Sequence, residues 1–504
     1  MPMAVGGKNF ISVLCLLAWV AGGWAAGGGS PLEAAESRKV EKMIEATGED
    51  GGGDGARRER EARQRRGRRL FLRFCAPCHG AAGRGDGDAA HYLYPRPRDL
   101  GSGIFKFHTT QANALPRDRD LLRTLRRGLP GTAMPAWGGV LPEEDLEALV
   151  AHLKTFSARF DMEIPDQPLE EGLEPPFDEF SIRQGGVLYR QLRCASCHGA
   201  EGRRTGRLKE SLKDVWDQPA YVFDLTQPDR YKAGADGDAI YNTLMTGIGG
   251  TSMNPYDYLT NAERWHLVHY LQSRLQEPER SPGAAAAPGP VRAAFVDGAV
   301  PLDPDHPAWR QASPATVDLT PLQAADRGVH SLRVRALHNG RTLGLRVEWD
   351  DATQNSAAPG PSPYLDGAAL QFPLAGVGKK REAFPFFGMG ARRRPVNIWH
   401  WRAAAPDAGW VDPFRESEIE ELNAQGLGSL TVQVLEDQQV EGRGRWREGR
   451  WQVVLRRSLK TPSPLDIQFT PEGSTLIAFA LWDGARRDKN AQKVISVWKN
   501  FLLD

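Results

Sequence analysis

Two short stretches, Cys75-Ala76-Pro77-Cys78-His79 and Cys194-Ala195-Ser196-Cys197-His198, decide how this sequence of 504 residues folds. In each stretch the spacing C-x-x-C-H places two thiols and an imidazole on one face of a helix. The thiols can each add to a vinyl group of haem, and the imidazole can then bind the iron as the proximal ligand. The sequence therefore predicts two covalently attached c haems, with His79 and His198 as iron ligands.

A C-x-x-C motif can also belong to a zinc site or to a redox pair. Of the five cysteines, Cys15 lies near the N-terminus and the other four all belong to the two motifs. A zinc site would need a second histidine pair at ligand spacing, but His91 and His108 have no counterparts in the second unit. A thioredoxin-like redox pair would need a βαβ context, which the flanking sequence does not provide. Covalent haem is the interpretation that we carry forward.

The two motifs belong to a duplicated unit. Cys194 follows Cys75 by 119 residues, and Met253 follows Met134 by the same 119 residues. Both methionines lie in a Gly-Thr-x-Met loop, and an amphipathic helix is predicted after each loop, at 142–156 and 261–275. Met245 is the competing sixth ligand in the second unit, but its equivalent in the first unit is Arg126. The repeat therefore predicts Met134 and Met253 as the distal ligands.

Histidine and methionine together fill both axial positions of the iron. Such an iron is closed to substrate and suits electron transfer rather than catalysis. Both units resemble the class I cytochrome c family, in the C-x-x-C-H motifs, the Gly-Thr-x-Met loops, the closing helices, and Gly67 with Leu70-Phe71 before the first motif. One extra residue before Cys194 is the departure. The resemblance implies two all-α cytochrome c domains, at 67–160 and 185–276, joined by a linker at 161–184.

The N-terminus is predicted to be an export signal. Lys8 precedes an apolar run from Phe10 to Val20, and small residues follow it. We expect a signal peptide at 1–26, a flexible charged linker at 27–66 and a periplasmic protein, with an uncleaved membrane anchor as the alternative. The 64 Lys and Arg balance 63 Asp and Glu, for a net charge of +1. This balance argues against a nucleic-acid partner.

A Pro/Ala linker is predicted at 277–290, and after it the sequence pattern changes from helical to strand-like. Asn339-Gly340 between two apolar runs is a strong hairpin signal, and 451–456 and 475–481 are further strand candidates. The segment 291–504 is therefore predicted to be mainly β, with two packed sheets.

This last segment resembles the haem-b-binding γ subunit of ethylbenzene dehydrogenase, which is found with molybdenum enzymes of the dimethyl sulfoxide reductase superfamily. The resemblance rests on these stretches: Leu302-Asp303-Pro304-Asp305-His306-Pro307-Ala308-Trp309, Asp366-Gly367-Ala368-Ala369-Leu370-Gln371-Phe372-Pro373, Pro385-Phe386-Phe387-Gly388-Met389-Gly390, Pro395-Val396-Asn397-Ile398-Trp399-His400-Trp401, Trp482-Asp483-Gly484 and Asn490-Ala491-Gln492-Lys493 before Ser496-Val497-Trp498. It implies a β sandwich holding one non-covalent b haem.

The same resemblance implies the ligands of that haem, which are Met389 and Lys493. His400, Lys489 and Lys499 remain alternatives, and Met389 could instead be a core residue beside Phe386 and Phe387. A sandwich that binds sugar or protein without haem is the alternative for the whole domain.

Together these expectations describe a periplasmic electron-transfer protein with two c haems and one b haem, not itself an enzyme. The resemblance implies as partners a molybdenum catalytic subunit, an iron–sulfur subunit, and soluble or membrane cytochromes of a respiratory chain. The alternatives are a di-haem peroxidase-like enzyme, and a diffusible di-haem carrier whose β domain only docks a partner.

Overall fold

The structure, a computed structural model, describes residues 51–276, 289–324, 329–356, 364–374, 385–403 and 418–504, with side chains from residue 55. The predicted signal peptide and most of the predicted Pro/Ala linker lie outside these residues. The described residues fall into two units, one up to Glu61 and one from Ala62 onward. No helix among the described residues is both long enough and apolar enough to span a bilayer.

The first cytochrome domain is helical. Its helices are α1 (Gly51–Phe74), α2 (Ala76–His79), α3 (Asp118–Arg127), α4 (Glu143–Leu153) and α5 (Arg159–Met162). Helix α1 starts inside the segment predicted as linker, because its Arg and Glu residues are strong helix formers that also make i,i+4 pairs such as Arg57 with Glu61. Helix α4 begins with three acidic residues, as the helix dipole favours, and Arg66 pairs with Asp145 at 2.6 Å.

The second cytochrome domain repeats this arrangement. It contains α6 (Glu179–Gln191), α7 (Ala195–His198), α8 (Gly237–Thr246) and α9 (Asn261–Ser273). Helix α9 begins at a capping box in which Thr260 and Glu263 bond to each other's backbone. Helices α4 and α9 correspond to the two predicted closing helices.

One close helix crossing is common to both domains. Gly67 on α1 lies against the carbonyl of Ala148 on α4, and Gly185 on α6 lies against the carbonyl of His266 on α9. A Cβ atom at either glycine would collide with that carbonyl. Glycine therefore lets the first helix of each domain approach the last one closely.

The C-terminal domain is built from β-strands. The strands are β1 (Val291–Phe295), β2 (Ala315–Asp318), β3 (Thr320–Pro321), β4 (Ser331–His338), β5 (Thr342–Asp350), β6 (Gly367–Pro373), β7 (Val396–Arg402), β8 (Ile419–Ala424), β9 (Thr431–Val432), β10 (Glu441–Arg447), β11 (Arg450–Ser458), β12 (Ser474–Trp482), β13 (Val494–Ile495) and β14 (Lys499–Leu503). The predicted hairpin is formed by β4 and β5, with Asn339-Gly340 in its turn.

Eleven of the described strands follow the order β10-β11-β5-β4-β1-β14-β12-β6-β7-β8-β9, while β2 pairs with β4, and β13 pairs with β12 and β3. Strand β12 joins two halves of this order, one running from β10 to β14 and the other from β6 to β9. Its residues Ser474–Ile477 pair with β14, whereas Ala478–Trp482 pair with β6. One core cluster combines Val334 and Leu345 from the first half with Leu370 and Trp399 from the second. The halves therefore pack face to face as a β sandwich.

The β domain also packs on the first cytochrome domain. Leu93 belongs to the same apolar cluster as Leu322, Phe386 and Ile495. The backbone N–H of Tyr94 donates to the carbonyl of Leu322 at 3.2 Å. This contact brings the Phe386-Phe387 loop of the β domain against the first haem motif.

Candidate haem-binding sites

The first C-x-x-C-H motif opens onto a large cavity. This cavity has a volume of about 1200 Å³, its open mouth included, and Cys75, Cys78, His79 and Met134 all line it. Both cysteines are free thiols, and burial raises the pKa of each to about 12. The structure thus brings together all four residues predicted for the first c haem.

His79 has one nitrogen occupied and one available. Its Nδ1 lies 3.1 Å from the carbonyl oxygen of Arg98, to which it can donate a hydrogen bond. Burial lowers the pKa of His79, so the imidazole is held neutral. A neutral ring with its Nδ1–H fixed is oriented to bind iron through Nε2.

Met134 is held in its loop by its own backbone. Its carbonyl oxygen accepts from the N–H of Leu129 at 3.0 Å, and its N–H donates to the hydroxyl of Thr132 at 3.3 Å. Gly128 and Gly131 in this loop have φ of 63° and 70°, a conformation that side chains disfavour. These two glycines therefore allow a loop shape that other residues would disfavour.

The second site has the same loop. The carbonyl oxygen of Met253 accepts from Ile248 at 3.0 Å, and its N–H donates to Thr251 at 3.2 Å. Cys194 and Cys197 are free thiols, and burial lowers the pKa of His198 to about 4. Met245, the competing ligand, lies on helix α8 instead. Met253 is thus the methionine that occupies the position of Met134.

The β domain contains a second cavity, with a volume of about 540 Å³ and an apolar lining. Met389 and Lys493 both line it, and the Nζ atom of Lys493 lies 3.6 Å from the Sδ atom of Met389. Burial lowers the pKa of Lys493 to about 8. Lysine binds iron only as the neutral amine, which this burial favours.

The loop that carries Met389 has a strained backbone and is held in place by hydrogen bonds. Met389 has φ of 74°, in the left-handed region that residues other than glycine rarely adopt. Gln371 on β6 holds the loop at two points, since its side-chain oxygen accepts from the N–H of Met389 and its amide donates to the carbonyl of Phe387, each at 3.0 Å. Such strain persists where surrounding structure imposes it, and it is common at functional sites.

The alternative ligands have different surroundings. Lys489 is exposed and Lys499 lies in β14, so of these three lysines Lys493 is the one that lines the cavity. His400 also lines it, but its Nδ1 lies 3.3 Å from a carboxylate oxygen of Glu420. Strand β13 ends at Ile495, and Lys499 begins the separate strand β14.

Sequence reasoning gave no role to Phe387 or to Gln371, although both stand in motifs of the resemblance. Phe387 lines the cavity of the β domain and also the cavity of the first cytochrome domain. Its ring lies 6.0 Å from the ring of Trp137, edge to face. No sequence signal identifies such a shared wall, because the contact joins two domains.

The residues present fit the groups that the domains imply. Each cytochrome site offers two free thiols, a neutral histidine and a methionine, and the β-domain cavity offers a thioether and an amine within an apolar lining. When bound, haem supplies reversible one-electron chemistry at its iron. In this chain the cysteines would supply the attachment points, and the histidines, methionines and Lys493 would supply the iron ligands.

Three family models match this chain. The model described as ethylbenzene dehydrogenase matches residues 306–433 and 427–493. The model for cytochrome c oxidase, cbb3-type, subunit III matches residues 62–153, and the cytochrome c model matches residues 182–274.

Curated relatives agree with these models. The chain is 30% identical over 206 residues to a putative respiratory nitrate reductase heme subunit of Haloferax mediterranei, covering 40% of this chain and 68% of the relative. It is 29% identical over 229 residues to the chlorate reductase subunit gamma of Ideonella dechloratans, covering 42% of this chain and 87% of the relative. The dimethylsulfide dehydrogenase subunit gamma of Rhodovulum sulfidophilum is 27% identical over 215 residues, covering 39% of this chain and 73% of the relative.

The fold and the sites define a multi-haem cytochrome with two cytochrome c domains followed by a β domain. The cytochrome c domains imply covalent haem c, and the β domain implies haem b. The chain belongs to the family of haem-bearing gamma subunits of the ethylbenzene dehydrogenase type.

Proposed function

We propose that this protein is the electron-transfer subunit of a molybdenum oxidoreductase, which exchanges electrons between a catalytic partner and a respiratory chain. In this proposal His79 with Met134, His198 with Met253, and Met389 with Lys493 are the three axial pairs. The relatives that it resembles are named as a heme subunit of a nitrate reductase and as gamma subunits of chlorate reductase and dimethylsulfide dehydrogenase, which supports a place in such a complex.

One observation carries the proposal, namely that Phe387 lines two cavities. This side chain is two residues from Met389 and lies against Trp137, which itself lines the cavity of Met134. The carbonyl oxygen of Lys106 in the first cytochrome domain also accepts from Gly249 of the second, at 3.3 Å. The first cytochrome domain therefore adjoins both other domains, and Arg230 of the second cytochrome domain also lies 2.9 Å from His330 of the β domain. Such mutual contact is suited to electron transfer among the three sites.

The proposal includes domain limits, location and partners. The domains are those predicted, at 67–160, 185–276 and 291–504, after an export signal at 1–26. The β domain would face the catalytic and iron–sulfur subunits in the periplasm, and the second cytochrome domain would face a cytochrome of the respiratory chain. An isolated chain that turned over peroxide by itself would contradict this assignment and favour the peroxidase alternative.

A substitution at Phe387 tests the conducting role. We expect Phe387→Ala to slow the redistribution of electrons between the b and c sites after rapid photoreduction, by several-fold or more, because the shared wall becomes a gap. The midpoint potentials should stay close to those of the wild type. The measurement is time-resolved absorbance at the separate b and c bands.

Phe386→Ala is the matched control, since this neighbouring ring is buried at the same domain contact and lies 4.5 Å from Phe387, yet it lines neither cavity. Equal rates in wild type, Phe387→Ala and Phe386→Ala would contradict the proposed route.

A further inference from the structure

Cationic side chains gather where the two cytochrome domains meet. Arg98 and Lys106 come from the first domain, and Arg230 and Lys232 come from the second. Arg98 and Lys106 line the cavity of the first haem motif. The charge of Lys232 acts on His198, the proximal histidine of the second motif, and is itself repelled by Lys106 and Arg230. The four cations therefore lie between the two candidate haem sites.

Arg98 reaches from its own domain into the other. One of its Nη atoms donates to the carbonyl of Gly249 at 3.1 Å, and its guanidinium stacks 4.2 Å from the ring of Trp216. Its Nε and its other Nη are buried and have no hydrogen-bond partner among the described residues. A buried guanidinium with two unused donors is costly unless an acceptor is supplied.

Burial also affects the two lysines of this interface, Lys106 and Lys232. Burial lowers the pKa of Lys106 to about 8, and burial also lowers the pKa of Lys232 well below its ordinary value. Neither amine has an ion pair within the part of the chain that the structure describes; Lys232 instead lies 2.8 Å from the centroid of the Phe223 ring.

Three carboxylates lie near these four cations. Asp214 attracts both Arg98 and Lys106, and Asp99 attracts Arg98, but neither forms an ion pair with these side chains within the described residues. Asp229 lies 3.5 Å from Arg230. The interface therefore holds more buried positive charge than these carboxylates balance, and buried charges in proteins are normally paired.

We propose that this interface is a shared binding site for the carboxylate groups of the two c haems, with Lys106, Lys232 and Arg98 as their cationic partners. The inference rests on the two c haems of the proposed function. Carboxylates fit the chemistry because guanidinium and ammonium groups are their preferred partners, and a haem bound at either site would carry carboxylate groups. Each domain would then complete the charge balance of its neighbour's site.

Removal of one charge tests the site. A cation beside a haem carboxylate disfavours the oxidised iron, so Lys106→Gln should lower the midpoint potential of the first c haem, and Lys232→Gln that of the second. Arg98→Gln should lower both potentials, because this side chain reaches from the cavity of the first site into the second domain. The measurement is a redox titration of the full-length chain, with the two c sites resolved.

The matched control is Lys154→Gln, which removes a lysine paired with Asp118 at 2.9 Å on the outside of the first domain. It should leave both potentials unchanged. Lys106→Arg should restore the potential that Lys106→Gln lowers, because the positive charge returns while the shape differs. If Lys106→Gln fails to bind haem, recovery in Lys106→Arg supports a charge role, and failure of both variants overturns the inference.

Unchanged potentials in Lys106→Gln and Lys232→Gln, with both haems attached, would overturn this inference alone. A chain without two covalent haems would instead overturn the proposed function, so the two failures are distinguishable by mass spectrometry of the same samples.

Discussion

Lys493 and Met389 are 104 residues apart in the sequence, yet their side chains meet in one cavity of the β domain. The amine of Lys493 has only weak partners there, the sulfur of Met389 at 3.6 Å and the ring of Trp482 at 4.7 Å, and no ion pair among the described residues. Its burial therefore opposes folding, because the charged form loses its hydration. A lysine whose amine is buried at such a cost in free energy, in a largely apolar cavity, is expected to have a function there. Ligation of the b haem is the use that we predict.

Replacement of that amine should change one haem of the three. We expect Lys493→Ala to convert a low-spin, six-coordinate b haem to a high-spin or haem-depleted form, because one axial bond is lost. Optical and electron paramagnetic resonance spectra should show both c haems unaltered. Lys489→Ala, at an exposed lysine four residues away, is the control and should be spectrally normal. A normal low-spin b spectrum in Lys493→Ala would move the assignment to His400 or another neighbour.

The two methionines of the second cytochrome domain can be separated in the same way. Met253→Ala should abolish the iron–sulfur charge-transfer band of its site and lower that site's potential, since a neutral sulfur ligand is lost. Met134→Ala should do the same to the first site. Met245→Ala should leave both bands in place because its side chain belongs to helix α8. If Met245→Ala removes the second band and Met253→Ala does not, the ligand assignment is wrong.

Among the secondary-structure elements, the local sequence pattern predicted helices and a hairpin correctly, but it could not predict strand pairing that depends on distant parts of the chain. The closing helix predicted at 142–156 is α4, which ends at Leu153 and continues as a 3-10 turn over Lys154–Phe156. The hairpin at Asn339-Gly340 also forms as predicted, because both signals are local. The exchange of β12 between two halves of the sandwich depends on its partners β14 and β6, so the sequence of β12 alone could not reveal it.

The helix crossing at Gly185 gives a prediction at this scale. Gly185→Ala places a methyl group against the carbonyl of His266, so α6 and α9 must separate. Overpacking of this kind costs about 1–3 kcal/mol. We expect a lower thermal transition for the second cytochrome domain, followed by circular dichroism and by the absorbance of its haem.

Gly139→Ala is the control for that experiment, since a Cβ atom there would have no neighbour within 4 Å. A transition temperature in Gly185→Ala equal to that of Gly139→Ala would show that the crossing tolerates a side chain, contrary to this account.

At the scale of the whole molecule, the sequence could supply ligands but not their arrangement. The C-x-x-C-H motifs and the 119-residue repeat identify candidate ligands one domain at a time. Phe387, shared by two cavities, and the cations between the cytochrome domains involve residues far apart in the chain. Their roles follow from domain packing, which a single sequence does not encode in any local pattern.

The central claim is that one chain carries two covalent haems and one haem held only by axial bonds and burial. Acid–acetone extraction of the purified full-length protein, followed by mass spectrometry of the polypeptide and haem analysis of the extract, tests it most directly. We predict two haem additions on the polypeptide and one haem per chain in the extract. One or no addition on the polypeptide, or an extract without haem, would contradict the account.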